Sequence, residues 1–266
     1  MISILPTQPR AAAIAASSSR LGQSPCEVAS NIRLLARAAV ATLLLVGSMA
    51  LGAESGSAKW ENDVHAFEQS DRTNPPPANA TVFVGSSSIR MWKSLQADFQ
   101  EFSVINRGFG GSELSDSVAF FERLVLPYRP RLIVLYAGDN DLAGGKSPAQ
   151  ICADWTAFVA KARAALPKVF IAYIAIKPSP ARATLLDKAR ETNSLIAAAI
   201  KKDRRAAFVD VFTPMLGADG QPRPELFLTD KLHLNSRGYD LWVSKVRPIL
   251  AKHGTKVTPA QRRKGV

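Results

Sequence analysis

The stretch Arg131-Leu-Ile-Val-Leu-Tyr136, followed after Ala137 by Gly138-Asp139-Asn140-Asp141, decides the fold of this 266-residue chain. Its uninterrupted apolar and β-branched residues predict an interior strand of a parallel sheet, which is buried on both faces. Four other segments read as strands: residues 81–84, 102–105, 169–176 and 207–211. Between and around them, apolar residues at helical spacing predict helices over residues 60–70, 114–126, 147–166, 183–202 and 236–250. This alternation predicts parallel βαβ units in a three-layer α/β/α sandwich forming one domain.

Polar motifs follow three of the predicted strands. They are Gly85-Ser86-Ser87-Ser88-Ile89, Asn106-Arg107-Gly108-Phe109-Gly110-Gly111 and Gly138-Asp139-Asn140-Asp141, and Asp230-Lys231-Leu232-His233 lies further along the chain. Open α/β sheets bind ligands in the crevice beyond the carboxyl ends of their strands. We therefore expect these motifs to converge at one edge of the sheet.

The residue types in these motifs are those of nucleophilic catalysis. A serine hydroxyl is a poor nucleophile until a base within hydrogen-bonding distance accepts its proton and a third group orients that base. Ser87 supplies the hydroxyl, His233 the base, and Asp230, three residues before His233, the orienting carboxylate. We predict that Nε2 of His233 takes the Ser87 proton while Asp230 accepts from Nδ1.

Acyl transfer also requires N–H groups directed at the oxyanion that forms. The backbone N–H of Gly111, the side-chain amide of Asn140 and the backbone N–H of Ser87 are the predicted donors. The glycines around Gly111 equally suit a tight strand-to-helix turn, and the two interpretations are compatible. A phosphate-binding loop is excluded because Gly-x-Gly-x-x-Gly is absent there and no Walker lysine follows a glycine loop.

Taken together, the four motifs resemble those of the GDSL-type or SGNH hydrolases. The family's Ser, Gly, Asn and His correspond to Ser87, Gly111, Asn140 and His233, and Asp230 corresponds to its triad acid, over about residues 80–250. The resemblance implies a flavodoxin-like sheet with strand order 2-1-3-4-5. It also implies hydrolysis of esters or thioesters without a metal or an organic cofactor.

The first motif departs from the family in one position, because Ser86 stands where an Asp usually precedes the nucleophile. Alignment of Gly85 and Trp92 with the family's first block favours Ser87 as the nucleophile over Ser88, and Ser88 over Ser86. An ordinary α/β-hydrolase is a poor alternative, since Ile89 replaces the last glycine of Gly-x-Ser-x-Gly.

The composition is that of a globular protein with a basic charge. The formal net charge is +12 and the isoelectric point is about 10.0, with 47% hydrophobic residues. The only dense basic run, Arg262-Arg263-Lys264, lies near the C-terminus, and no nucleic-acid-binding motif is recognisable. We expect a solvated tail over residues 253–266 and no nucleic-acid partner.

Residues 33–53 have the pattern of a secretory signal peptide. Arg33 and Arg37 precede an apolar run that is too short to span a bilayer, and a small-residue end leads to cleavage near Ala53. We therefore expect an N-terminal extension and signal peptide over residues 1–53, an exported domain over residues 54–252, and no stable membrane span in the mature form. An uncleaved anchor is the alternative. Export would remove Cys26 and leave Cys152, interpreted as a structural thiol on a helix.

The predicted activity is that of a serine esterase acting on a small acyl ester through an acyl-serine intermediate. Candidate substrates are O-acetylated saccharides, lysophospholipids and acyl thioesters, with short acyl groups favoured because no lid insertion is evident. The residues predicted to contact substrate are Arg90, Trp92, Lys177 and Ser179, and for Arg90 and Trp92 the packing of a short helix is an equal alternative. The alternative function is a catalytically silent carbohydrate- or envelope-binding protein with the same fold. The sequence does not indicate an oligomeric state.

Overall fold

The sheet has the predicted parallel arrangement in a computed structural model that describes residues 58–257. Its strand order is β2-β1-β3-β4-β5, and all four neighbouring pairs are parallel. The strands are β1 Thr81–Gly85, β2 Val104–Gly108, β3 Leu132–Tyr136, β4 Phe170–Ile174 and β5 Ala206–Val209. The predicted leader over residues 1–53, Cys26 and the basic run at residues 262–264 lie outside the described residues.

Helices lie between the strands, as expected for βαβ units. The α-helices of the described range are α1 Glu61–Thr73, α2 Ser87–Arg90, α3 Leu95–Asp98, α4 Leu114–Ala119, α5 Phe121–Leu124, α6 Asp139–Ala143, α7 Pro148–Ala165, α8 Leu186–Ile200 and α9 Ser236–His253. Side-chain capping determines where α7 and α9 begin. Ser147 caps α7 by accepting from the Gln150 N–H, and Asn235 caps α9 by accepting from the Gly238 N–H.

Aromatic residues on successive strand positions show that helices cover both faces of the sheet. Tyr173 of β4 is in register with Leu135 of β3, so Tyr173 and Tyr136 point to opposite faces. Tyr136 packs against Trp242 of α9 with ring centroids 4.9 Å apart, and Tyr173 packs against Trp155 of α7 at 5.2 Å. The structure is therefore the predicted three-layer α/β/α sandwich.

The single helix predicted over residues 114–126 is wrong, because the chain turns at Phe120. Phe120 and Phe121 are both buried; Phe120 packs on Phe109 and Phe121 on Phe158. Two adjacent rings on a straight helix would diverge by about 100°, as follows from 3.6 residues per turn. The break between α4 and α5 allows both rings to reach the core.

The helix predicted over residues 183–202 also begins later than expected. Pro180–Leu185 is a 3₁₀ segment with non-helical backbone at Arg182, and the α-helix starts at Leu186. This irregular segment passes the carboxyl edge of the sheet, where it carries Arg182 to the functional site described below.

The prediction that the chain frays after Lys252 is wrong for residues 253–257. Helix α9 continues to His253, and the segment after it docks against the start of β2. The Ser103 N–H donates to the Thr255 carbonyl at 2.7 Å, and the Val257 N–H donates to the Glu101 carbonyl at 3.0 Å. These backbone bonds fix the chain as far as Val257. Among residues 58–257, no helix is both long enough and apolar enough to cross a membrane.

Candidate active site

Ser87 stands at the carboxyl end of β1 because of the backbone at Gly85. Gly85 has φ +130°, and a Cβ there would lie 1.9 Å from the Tyr136 carbonyl oxygen. Only glycine therefore allows β1 to end so close to β3 and turn into α2. Ser87 is the first residue of α2, where a backbone N–H has no intrahelical acceptor.

His233 and Asp230 come from a loop that returns to the same edge. The Leu228 N–H donates to the His233 carbonyl at 2.8 Å, which closes the loop, and Lys231 at its tip has φ 57°. Asp230 Oδ1 accepts from the backbone N–H groups of Leu232 and His233, both at 2.9 Å. The carboxylate is thus fixed by the loop that it shares with the imidazole.

The three side chains form a continuous hydrogen-bonded chain. Nε2 of His233 lies 3.1 Å from Oγ of Ser87, and Nδ1 of His233 lies 2.6 Å from Oδ2 of Asp230. The side-chain bond from His233, followed by its backbone N–H, lowers the pKa of Asp230 to about 2. An ionised Asp230 can only accept, so the Nδ1 proton faces Asp230 and the Nε2 lone pair faces the Ser87 hydroxyl.

A buried tyrosine links the segment of Ser87 to the segment of His233, although these two residues are 146 positions apart in sequence. Tyr239 lies on the first turns of α9, just after the His233 loop, and its hydroxyl donates to the Ser88 carbonyl at 3.0 Å. The bond joins α9 to α2, the helix that carries Ser87. Trp92, two residues after the end of α2, stacks on Tyr239 with ring centroids 5.1 Å apart. Packing of α9 on α2 therefore sets the separation of Ser87 and His233.

The turn after β3 places Asn140 at the same edge of the sheet as these three side chains. Gly138 has φ +113°, and a Cβ there would lie 2.6 Å from Ile176 Cδ1, so glycine is required at the turn. Asn140 Nδ2 donates to the Ser112 carbonyl at 2.9 Å, while Asn140 Oδ1 accepts from Arg182 at 3.0 Å. An amide nitrogen carries two protons, so the second Nδ2 proton remains available for an anion.

Gly111 directly precedes Ser112, whose carbonyl accepts from Asn140. Gly111 has φ +79° and lies under the ring of Trp60, whose Cη2 would be 3.2 Å from an added Cβ. Trp60 in turn packs edge-on against Phe109 at 5.7 Å. The Trp60 ring closes one side of the space beside Gly111. A side chain at position 111 would crowd this ring.

A buried ion-pair network contacts Asn140 through Arg182. Asp139 Oδ2 contacts Lys177 Nζ at 2.7 Å, and Asp139 Oδ1 contacts the guanidinium of Arg182 at 2.6 Å. Burial alone would raise the pKa of Asp139, but the charges of Lys177 and Arg182 outweigh it and hold that pKa below its ordinary value. Arg182 therefore bridges the fixed Asp139 carboxylate and the Asn140 amide oxygen.

Three of the four residues predicted to contact substrate are buried. Trp92 is 1% exposed among the aromatic rings of the core and donates to Asp98, Lys177 is 3% exposed in the pair with Asp139, and Ser179 is 2% exposed. Their predicted role as substrate contacts is wrong, because none of them presents a side chain to solvent. Arg90 is exposed, and its guanidinium lies against Gly110, next to Gly111.

Sequence analysis missed Asp139, Arg182, Tyr239 and Trp60 as parts of this region. Asp139 was hidden in what resembles a polar turn, and Arg182 lies just before the predicted helix of residues 183–202, where no motif marks it. No sequence signal marked Tyr239 or Trp60. A side chain that packs against the functional site has the same helical spacing as one that only fills the core. Among residues 58–257, no group of three or more His, Cys, Asp and Glu side chains is arranged to hold a metal ion.

Comparison with known proteins identifies one family that this chain matches. Residues 80–241 match the sequence profile of the GDSL-like lipase/acylhydrolase family, which covers more than half of the chain. The chain is similar to the human platelet-activating factor acetylhydrolase IB subunit alpha1, with 25% identity over 193 residues. That alignment covers 69% of this chain and 79% of the human protein.

Solved structures share the fold. A GDSL-like lipase from Bacteroides thetaiotaomicron superimposes with a TM-score of 0.60 at 23% identity, covering 71% of this chain and 97% of that one. A carbohydrate esterase family 3 protein from Talaromyces cellulolyticus superimposes with a TM-score of 0.52 at 15% identity, covering 66% and 97%.

Proposed function

Because this chain belongs to the GDSL-like lipase/acylhydrolase family, we propose that it is an exported serine esterase that cleaves short-acyl carboxylic esters. The observation that carries the proposal is the chain of contacts from Ser87 through His233 to Asp230, at 3.1 Å and 2.6 Å. Export is part of the proposal because residues 33–53 have the signal-peptide pattern.

In the proposed reaction, Oγ of Ser87 attacks the ester carbonyl carbon while Nε2 of His233 takes the hydroxyl proton. The carbonyl oxygen becomes an oxyanion that accepts from the Ser87 and Gly111 backbone N–H groups and the free Nδ2 proton of Asn140. Collapse of the intermediate breaks the bond to the alcohol oxygen, which leaves with the proton from His233. Water then attacks the acyl-Ser87 and loses a proton to His233, which returns that proton to Oγ of Ser87 as the bond to the acyl group breaks and the acid leaves.

Two observations support a short acyl group. The Trp60 ring lies over Gly111, so the wall of the anion-binding space is close and aromatic. The human relative is an acetylhydrolase by name, and an acetyl group is the shortest common acyl group in esters. Among the substrates considered, an acetylated saccharide fits these constraints better than a long-chain lysophospholipid.

The test is hydrolysis of p-nitrophenyl acetate, butyrate, octanoate and palmitate by the purified protein. We expect the highest kcat/KM for acetate, with a steady fall as the chain lengthens. Ser87→Ala should lower kcat by roughly 10⁴-fold or more. Ser88→Ala is the matched control, because the neighbouring serine is buried and 1% exposed, and it should retain activity. Equal loss in both variants would contradict the assignment of Ser87 as the nucleophile, and no hydrolysis by the wild type would favour the silent binding protein.

A further inference from the structure

The opposite edge of the sheet forms a groove of about 750 Å³ that is surrounded by cations. It lies where β3, β4 and β5 begin, at the other end of the sheet from Ser87. The Lys and Arg residues that line it are Arg129, Arg131, Lys168, Arg204, Arg205 and Lys252. No Asp or Glu is among its lining residues. Six of the 34 Lys and Arg residues of the chain line this one groove.

The starts of β3, β4 and β5 bring several of these cations together at one edge of the sheet. Arg131 directly precedes β3, and Arg205 directly precedes β5. Their carbonyls accept from the Phe170 and Ile171 N–H groups of β4, which lies between them, at 2.9 Å and 3.0 Å. Neighbouring strands are about 4.8 Å apart, so the two arginine backbones lie roughly 10 Å apart across three strand starts. The register, continued by one residue, puts Arg131 and Arg204 level with Val169 and on the same face of the sheet, whereas Arg205 points to the other face. Lys168 joins them from the turn before β4.

All six cations are exposed, and none forms an ion pair with another residue in the range 58–257. The guanidinium of Arg205 donates to a neutral acceptor, the Pro167 carbonyl. The nearby Arg163 differs, because it pairs with Asp203 at 2.8 Å. Like charges placed together destabilise the folded state by mutual repulsion. An external polyanion would remove that repulsion.

We propose that this groove binds a single chain of a linear polysaccharide that carries a carboxylate on its sugar rings. Four of the six cations are arginines, whose planar guanidinium pairs with a carboxylate through two parallel hydrogen bonds. A linear polymer that carries a carboxylate on each ring can pair with several of these cations at once. The half-buried Leu166 provides an apolar surface for a ring face.

The same surface fits the other common polyanions less well. Single-stranded nucleic acid needs free aromatic faces on which its bases stack. Phe170, the aromatic residue of the β4 start, has one face stacked on His253, with ring centroids 3.6 Å apart. A bilayer is flat, and cations around a concave groove cannot all reach its headgroups. The chain's own termini outside the described range are unsuitable, because residues 258–266 hold no acidic residue and residues 1–57 only Glu27 and Glu54.

The position of the groove determines what binding would do. Strands of five residues separate it from the motifs that follow β1 and β3, a distance of about 16 Å along the sheet. A polymer in the groove therefore leaves the Ser87 edge open to solvent. Binding would hold the protein on an acidic polysaccharide without occupying the candidate active site, whichever reaction occurs there.

The test compares two triple variants of the full chain by affinity for polygalacturonate. Arg131→Ala, Lys168→Ala and Arg204→Ala together remove three groove charges. Arg72→Ala, Lys188→Ala and Lys245→Ala together remove three exposed charges elsewhere and so match the change in net charge. We expect the groove variant to bind at least tenfold more weakly and the control to stay within threefold of the wild type. Both should retain the wild-type melting temperature and any hydrolysis of p-nitrophenyl acetate.

Three results would overturn the proposal. The first is an equal loss of affinity in the two triple variants, which would show attraction by net charge alone. The second is tighter binding of oligothymidylate, or of vesicles containing phosphatidylglycerol, than of polygalacturonate by the wild type. The third is the absence of wild-type binding to polygalacturonate at low salt. Neutral dextran, which should not bind, controls for contacts that need no carboxylate.

Discussion

The two ends of the sheet differ in how their charged side chains are used. At the carboxyl end, Asp139 binds both Lys177 and Arg182, and Lys146 contacts Asp141 and Asp154. At the amino end, six cations surround a groove without an ion pair among residues 58–257. The comparison teaches that charges paired inside the protein fix the geometry of a site, whereas unpaired charges are free for a partner.

The largest expected effect comes from the carboxyl end, at the group that orients the base. Asp230→Asn replaces an acceptor with a donor facing Nδ1 of His233, which reverses the tautomer that the mechanism needs. We expect kcat to fall about 10⁴-fold with little change in KM. Steady-state kinetics on p-nitrophenyl acetate measure it. A loss below tenfold would show that Asp230 does not orient the imidazole.

A second carboxylate at this end tests the importance of internal pairing. Asp139→Asn leaves Lys177, whose side chain is 1% exposed, buried without a counter-charge. We expect a loss of about 3–5 kcal/mol in the free energy of unfolding. Urea denaturation measures it, with Asp203→Asn as control, since its partly exposed pair with Arg163 should contribute only about 0.2–1 kcal/mol. Equal losses would remove the distinction between the two kinds of pair.

Arg182 joins the ion-pair network to the oxyanion donor. Arg182→Ala should lower kcat by about tenfold, less than the roughly 10²–10³-fold expected for Asn140→Ala, because Asn140 keeps its bond to the Ser112 carbonyl. KM should stay unchanged. If Arg182 acts through Asn140, it has no further effect on kcat in the Asn140→Ala background. Additive losses would instead indicate that Arg182 acts independently of the amide.

The amino end should respond in the opposite direction to the same kind of substitution. Arg131→Ala removes an exposed charge that repels its neighbours and has no ion pair in the described range. The free energy of unfolding should change by less than about 0.5 kcal/mol, or rise. Urea denaturation at low and high salt checks it, because added salt screens the repulsion and should shrink any gain. A loss near that of Asp139→Asn would mean that Arg131 has an internal structural role.

The smallest effect is a pH dependence of stability at Asp230. Its pKa is lowered to about 2 by the bonds from the His233 side chain and backbone. The stabilisation is therefore present above the ordinary Asp pKa of about 3.9 and is lost as pH falls towards 2. The melting temperature of the wild type should exceed that of Asp230→Asn at pH 6, and the gap should close below about pH 4. A gap that widens with acid would have the wrong sign.

The parallel strands and the motifs that follow them could be predicted from sequence, because both are local patterns. Runs such as residues 132–136 are buried on both faces, and the connections fix where their carboxyl ends lie. The pairing of Ser87 with His233 at one edge followed from that topology, and the structure has the two side chains 3.1 Å apart. Their catalytic roles stay predictions until activity is measured.

The supporting network could not be predicted, because it depends on contacts between distant segments. Lys177 follows a strand and so was interpreted as a rim residue, although Asp139 draws it into the interior. Arg182 reaches Asn140 only because its backbone leaves the helical path at residues 180–185. The groove at the opposite edge was equally hidden, since its cations are scattered between residues 129 and 252 and come together only in the folded chain.

The most direct test of the central claim is the intact mass of the protein after treatment with a fluorophosphonate. We predict that the wild type gains one adduct, which peptide mapping assigns to Ser87, and that Ser88→Ala gains the same adduct. Ser87→Ala should gain none. A wild type that stays unmodified, or an adduct that persists in Ser87→Ala, would contradict the assignment of Ser87 as the nucleophile beside His233.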